Sequence, residues 1–221
     1  VNPLAYVFDA YGTLFDVHAA IARHRDACGP DADRISELWR AKQLEYSWTL
    51  TLAGRYEDFW TLTTRALDYA LARFPSVPAA IRQRLLDSYF ELDAFSDCAP
   101  CLAALKSRGA RTAILSNGSP RMLAAAVAGA KLEGWLDAVL SVDALRLYKP
   151  RPEIYAMVTD TLTAQASDIA FVSSNRWDVM GAVEFGFAGV WVNRANAPDE
   201  YPDHPPRKVI GSLAALPALA L

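Results

Sequence analysis

Five apolar residues, Leu4 to Phe8, run without alternation and end on a carboxylate, Asp9. A short unbroken run rich in β-formers is the mark of a strand buried on both faces, and such strands belong to parallel sheets covered by helices. Gly12 then breaks the pattern and Thr13 follows. In an open α/β sheet ligands bind at the carboxyl ends of strands, which would put Asp9 at the mouth of a site. Asp close before Gly is also a common turn residue, and on this stretch alone the two readings stand level.

After Phe15 the pattern changes. Residues 16–94 hold helical periodicity and hardly a strand, with helices expected over Ile35 to Leu52, Gly54 to Phe74 and Ile81 to Leu92. Pro75 and Pro78 punctuate the gap between the last two. A compact helical bundle inserted after the first strand would emerge at the sheet's carboxyl edge and overhang Asp9 as a lid. From Phe95 strands and helices alternate. Strands are expected at Arg111 to Leu115, Val139 to Val142, Ile169 to Val172, Gly189 to Val192 and, at an edge, Val209-Ile210 before a last helix. Helices are expected at Pro100 to Arg108, Arg121 to Ala130, Pro152 to Leu162 and Asp178 to Phe185. Such alternation implies right-handed βαβ units. The fold class is therefore α/β: a Rossmann-like parallel sheet core, residues 1–15 plus 95–221, with an inserted helical cap at 16–94.

The chain has 221 residues, 52% hydrophobic and 21% charged, which is ample for a core. A net charge of −3 argues against a broad nucleic-acid surface. No apolar run reaches transmembrane length and no signal-peptide pattern is present, so a cytoplasmic location is expected. Cys28, Cys98 and Cys101 are an odd count, unsuited to a disulfide framework. Cys98 and Cys101 form C-x-x-C, but no second pair completes a zinc set, and they are expected to pack a helix. His18, His24 and His204 are expected at solvated surface positions. Ser119, before Pro120, is expected to cap a helix.

Polar residues gather after each expected core strand: Asp9 and Thr13, then Ser116 and Asn117, then Ser173, Ser174, Asn175 and Asp178. Lys149 lies in a Tyr-Lys-Pro-Arg-Pro loop before a helix. Each has an ordinary explanation as a cap or turn residue. Together they converge at one edge of one sheet.

The patterns F-D-x-Y-G-T-L at Asp9, S-N-G-S at Ser116, Y-K-P at Lys149 and S-S-N-x-W-D ending at Asp178 resemble the haloacid dehalogenase superfamily, and within it the L-2-haloacid dehalogenases. The segment Leu38 to Trp48 is similar to that family's lid, and the resemblance covers essentially the whole chain. Phosphatases of the superfamily carry a second Asp two residues after the nucleophile; here Tyr11 stands there. They also place further carboxylates after the third core strand, where this chain has Ser174 and Asn175 before the lone Asp178. Magnesium anchors through hard oxygen ligands, so Asp9 and Asp178 beside Lys149 make a poor site. A halide leaving group needs neither metal nor acid, only donors and positive charge.

The resemblance implies hydrolysis of short L-2-haloalkanoic acids to D-2-hydroxy acids and halide, without metal or other cofactor. It implies Asp9 as nucleophile, Thr13 orienting it, Lys149 holding it ionised and Asp178 activating water. Ser116 and amides after Asp9 would take the substrate carboxylate; Arg40, Asn117 and Trp177 would cradle the halide; Tyr11, Leu44, Phe59 and Trp177 would wall the pocket. Ser173 and Asn175 would position Lys149, Asp178 or the water, and Tyr155 would steady the surroundings of Asp9. From the residues alone Arg40 reads as a solvated helix charge, while Leu44 and Phe59 read equally as bundle core and Tyr155 as helix packing. Trp48, Trp60 and Tyr46 are expected in the bundle core. The pattern departs from the family at Ala41, Arg176 and Met180. The partners implied are a halogenated acid, water and a second copy of the chain, with no nucleic acid or membrane. The alternatives are a magnesium-dependent phosphatase of the same fold, a non-catalytic small-acid binding protein, or an enzyme acting on some other small acid.

Overall fold

A computed structural model describes residues 3–221 of the chain. Strand β1 (Ala5–Phe8) is followed by five helices: α1 (Ala19–Ala22), α2 (Arg25–Cys28), α3 (Ala32–Leu52), α4 (Phe59–Arg73) and α5 (Ile81–Phe90). Then come α6 (Cys98–Lys106), β2 (Arg111–Ser116), α7 (Pro120–Gly129), β3 (Ala138–Ser141), α8 (Pro152–Leu162) and β4 (Ile169–Ser173). The chain finishes with α9 (Arg176–Phe185), β5 (Ala188–Val192), β6 (Lys208–Ile210) and a 3₁₀ turn at Leu213–Ala218.

All six strands are parallel in the order β3-β2-β1-β4-β5-β6, so β1 is central, with Phe8 beside Ile114 on one side and Val172 on the other. Every residue of β1 and β4 is buried, which is why those runs show no alternation. The strand order reverses between β1 and β4. The carboxyl ends there carry Asp9 on one strand's exit and Ser173 to Asp178 on the other's.

Several boundaries differ from the sequence expectation, each for a local reason. α4 begins at Phe59 rather than Gly54, because Gly54 sits at φ +65° and Asp58 caps the helix, accepting from the Trp60 and Thr61 amides at 3.0 and 3.2 Å. α3 starts earlier, at Ala32, and α9 starts at Arg176, which moves Asp178 into its first turn. α6 opens at Cys98, so both cysteines face the core in its first turn; burial pushes each thiol up to about 12. The last helix is only a 3₁₀ turn, with Pro217 inside it. Ser119 occupies the N-cap position of α7 but makes no side-chain cap bond. The histidines are partnered rather than simply solvated: His18 meets Ser36 at 2.7 Å, His24 meets Ser88 at 2.9 Å and His204 pairs with Glu184 at 2.8 Å. Among the described residues no helix is long and apolar enough to cross a membrane.

Gly181 allows a close contact between two helices of the core. A Cβ there would lie 2.6 Å from the Tyr155 hydroxyl and 2.7 Å from Pro150 Cβ, so α9 reaches α8 only because the side chain is absent. The Asp58 cap gives a direct test of the helical insertion. Asp58→Ala is expected to lower stability by about 1 kcal/mol in urea denaturation, since two amides lose their acceptor.

Candidate active site

Asp9 leaves β1 with its amide bonded to Val172 O at 2.9 Å, which fixes it to the neighbouring strand. Gly12, at φ +93°, turns the chain so that Thr13 comes back over the carboxylate. The Thr13 hydroxyl donates to Asp9 Oδ2 at 3.1 Å and accepts the Ser174 amide at 2.8 Å, tying the two strand exits together. Asn175 Nδ2 donates to the same oxygen at 2.9 Å. Asp9 Oδ1 receives Lys149 Nζ at 3.1 Å, and that ammonium also donates to Asp178 Oδ2 at 2.9 Å. Tyr155 donates to Asp178 Oδ1 at 2.8 Å. Five elements therefore meet: the exits of β1 and β4, the loop before α8, α8 itself and the first turn of α9, which carries Asp178.

The cluster is nearly dry. Asp9 is 5% exposed, Lys149 1% and Asp178 0%. Burial works against the Lys149 ammonium, but the charges of Asp178 and Asp9 outweigh it and hold that group above its ordinary range. Burial pushes Asp178 up to about 6, with Lys149 pulling against it and Asp9 adding repulsion. The Lys149 cation gains from two carboxylates, which outweighs its burial, whereas for Asp178 burial outweighs the one cation it shares. Tyr155 is held well above the ordinary phenol value by burial and then by Asp178, so it stays a donor.

The structure brings Arg40 into this group rather than leaving it in solvent. From α3 its Nη2 donates to Tyr11 O at 3.2 Å and lies 3.5 Å from Asn175 Oδ1. Leu44 follows one turn later, half-buried on the same helix. Phe59 is buried, its ring centroid 6.4 Å from that of Tyr11 and 6.0 Å from that of Tyr148, so it packs the core and faces the Tyr11 side together. The Tyr11 hydroxyl is buried without a partner, and burial and then Tyr89 raise its pKa well above the ordinary value. Trp48 does not sit in the bundle core as expected. It meets Trp177 edge-on at 5.3 Å, across the cleft between α3 and α9, whereas Tyr46 and Trp60 do pack on the core.

Three further placements differ from the sequence expectation. Asn175 bonds to Asp9, not to Lys149 or Asp178. Ser173 spends its hydroxyl on the Asn175 amide at 3.1 Å, and so reaches the cluster only through Asn175. Tyr155 bonds to Asp178, not to the surroundings of Asp9. Ser116 is buried and accepts the Gly118 amide at 3.1 Å, leaving its proton to donate; Asn117 Oδ1 accepts the Lys149 amide at 3.1 Å, leaving its Nδ2. Gly181, whose missing side chain lets Tyr155 reach Asp178, escaped the sequence reading altogether. A glycine inside a helix was its only signal. At the departure Arg176, the side chain is buried and holds the following loop through Asp199 at 2.6 Å and Tyr201 O at 2.6 Å.

Among the described residues no group of three or more His, Cys, Asp or Glu side chains is placed to hold a metal ion. The space between Asp9 and Asp178 belongs to the ammonium. Lys149→Met would leave two buried carboxylates without a cation, at a cost of about 3–5 kcal/mol. A carboxyl whose folded pKa is raised gives stability that is present at low pH and lost as pH rises through that value. The variant's deficit in urea denaturation is therefore expected to be larger at pH 8 than at pH 5, where one carboxyl takes up a proton.

A family model for haloacid dehalogenase-like hydrolases matches residues 4–186. An (S)-2-haloacid dehalogenase of a Pseudomonas species (strain CBS-3) is 50% identical over 98% of this chain and 96% of its own length. A crystal structure of a dehalogenase with an intermediate complex superposes with a TM-score of 0.96 at 47% identity, covering 100% of this chain and 99% of that one. The L-2-haloacid dehalogenase of Xanthobacter autotrophicus with chloropropionic acid covalently bound gives a TM-score of 0.89 at 39% identity, with 98% of each chain covered. With the sheet order, the strand-end cluster and these matches in agreement, the chain belongs to the haloacid dehalogenase-like hydrolases.

Proposed function

We propose that the protein hydrolyses short L-2-haloalkanoic acids to D-2-hydroxy acids and halide through an ester on Asp9. One observation carries this reading: a single buried ammonium, Lys149, bridges Asp9 at 3.1 Å and Asp178 at 2.9 Å. That arrangement leaves one oxygen-rich nucleophile held by donors and a second carboxylate set apart from it. The named relatives act on haloacids, and one neighbour holds chloropropionic acid covalently.

Asp9 attacks C2 from behind; the new C–O bond forms as the C–halogen bond breaks, and halide leaves with the electron pair. The helices of residues 16–94 act as the cap, and their Arg40 meets the leaving halide with a guanidinium that cannot lose its charge, joined by the Nδ2 of Asn117 and the edge of Trp177. Ser116 and the amides after Asp9 hold the substrate carboxylate, and Leu44, Phe59 and Tyr11 wall the alkyl part. Thr13 and Asn175 fix Asp9 Oδ2, so Oδ1 and Oδ2 have distinct surroundings before attack. Water then adds to the side-chain carbonyl of the ester while Asp178 accepts its proton. The acyl C–O bond breaks, the hydroxy-acid oxygen leaves with the electron pair and takes the proton from Asp178, and the Asp9 carboxylate is restored. The bond from C2 to oxygen survives this step, so the inversion at C2 persists. Tyr155 and Lys149 hold Asp178 in place for it. Homodimer formation and a cytoplasmic location belong to this reading on the resemblance alone.

A magnesium-dependent phosphatase would want carboxylates where Tyr11, Ser174 and Asn175 stand, and this second reading has no observation in its favour. Halide release should occur with L- but not D-2-chloropropionate, unchanged by chelator, and chiral analysis should find the D-hydroxy acid. Brisk cleavage of phosphate esters with no halide release would overturn the reading. Asp9→Asn should abolish turnover. Asp178→Asn should slow hydrolysis by about 10²–10⁴-fold and let the ester accumulate, visible by intact-protein mass as the acid without its halogen. Because Asp178 works as the anion and its carboxyl is pushed up to about 6, the hydrolysis rate should fall as pH drops through about 6 and level off above it.

A further inference from the structure

A cavity of about 370 Å³ lies beside the cluster, where the end of α3 faces the Lys149-Pro150 loop and α9. That is within the size range of small-molecule sites, about 300–1,000 Å³. Its walls are apolar and aromatic: Leu52, Tyr148, Trp177 and Met180. Two of its lining side chains hold polar atoms that are buried and without any hydrogen-bond partner, Trp48 Nε1 and Thr51 Oγ1. They sit three residues apart on α3, hence on one face of the helix. Buried donors left unpaired are rare, and each one costs the desolvation of its group. The charged lining residues are Lys149, held by Asp9 and Asp178, and Arg151, paired with Glu153, and no carboxylate lines the cavity.

A second cavity, of about 490 Å³ on the other side of Trp177, makes the contrast. It too has unpartnered atoms on Ser174, Arg176 and Arg194. There too the cations are neutralised, by Asp199 and Asp97, but the carboxylates Asp16 and Glu200 also line the space. That composition suits water. The first cavity has unpartnered donors and apolar walls, and no carboxylate in its lining to satisfy those donors.

We infer that this first cavity is a second carboxylate site, an entry station that takes the substrate acid before it reaches Asp9. This rests on the proposed haloacid activity. The carboxylate accepts from Trp48 Nε1 and Thr51 Oγ1, and the alkyl chain lies on Trp177, Met180 and Leu52. Longer chains bury more apolar surface there, so the station favours acids of five or six carbons over three.

The test uses the intact enzyme with Trp48→Phe, which keeps a ring and loses the donor, and Thr51→Val, which keeps the shape and loses the hydroxyl. KM for L-2-bromohexanoate should rise about tenfold in each with kcat unchanged. Affinity for unhalogenated hexanoate, measured by calorimetry, should fall in parallel. Thr51→Ser should restore both values, which a mere packing defect would not. Wild-type KM and hexanoate affinity in both variants, or a loss confined to kcat, would overturn the station while leaving the dehalogenase reading intact. Hexanoate binding that depends on Trp48 and Thr51, in a protein that releases no halide, would sustain the station and overturn that reading.

Discussion

One ammonium shared by two carboxylates sets the terms for the rest of the structure. Lys149, Asp9 and Asp178 are each at most 5% exposed, so none of their charges is paid off by water. Burying such charges is tolerable only when each finds a partner at close range. The three residues are distant in sequence and come from three different strand exits and loops. Only a parallel sheet, which turns every strand's carboxyl end toward one edge, delivers them to a single point. The ammonium also lies 5.0 Å from the ring centroid of Phe171 on β4, so the sheet itself supplies part of its surroundings.

The two carboxylates are chemically identical and differently placed. Asp9 receives three side-chain donors, from Thr13, Asn175 and Lys149, and keeps a slight exposure. Asp178 receives two, from Tyr155 and Lys149, and has no exposure. Burial therefore raises Asp178 to about 6, which makes it a better base than an ordinary aspartate while leaving it ionised at neutral pH. Unlike surroundings are how one site assigns unlike work to two like groups. Tyr155 reaches Asp178 because Gly181 lets α8 and α9 close up. A packing detail less than one helical turn away thus conditions the base.

The strands were legible because unbroken apolar runs ended on polar residues, and Asp9, Lys149 and Asp178 were legible because each follows such a run or opens a loop beside one. The pairings were less so. Whether Tyr155 faces Asp9 or Asp178 depends on how two helices rotate against each other, and neither helix's periodicity carries that rotation. Trp48 shows the same limit. Spacing puts it on the apolar stripe of α3 but does not say whether the stripe meets the bundle or the cleft, and near its end it meets the cleft at Trp177. Asp58 was readable as a cap, since an Asp stands directly before an apolar periodic run. Gly54 drew the expected start too early, although a glycine at positive φ ends a helix more naturally than it begins one.

Charge counting explains why such a sheet needs its helical insertion. Asp9, Asp178 and Lys149 together carry one net negative charge in a nearly dry site, and the proposed substrate brings another. Without compensation, an anion would have to approach a buried anionic cluster at short range, where the low dielectric magnifies repulsion. Arg40 on α3 supplies the missing positive charge and brings the protein's own total to zero. It reaches the site only because α3 lies over the exit of β1, where it binds Tyr11 O at 3.2 Å. On the proposed reading, the core alone would hold the nucleophile and the base, and the inserted helices would make the place electrostatically acceptable to an acid and to the halide it leaves behind.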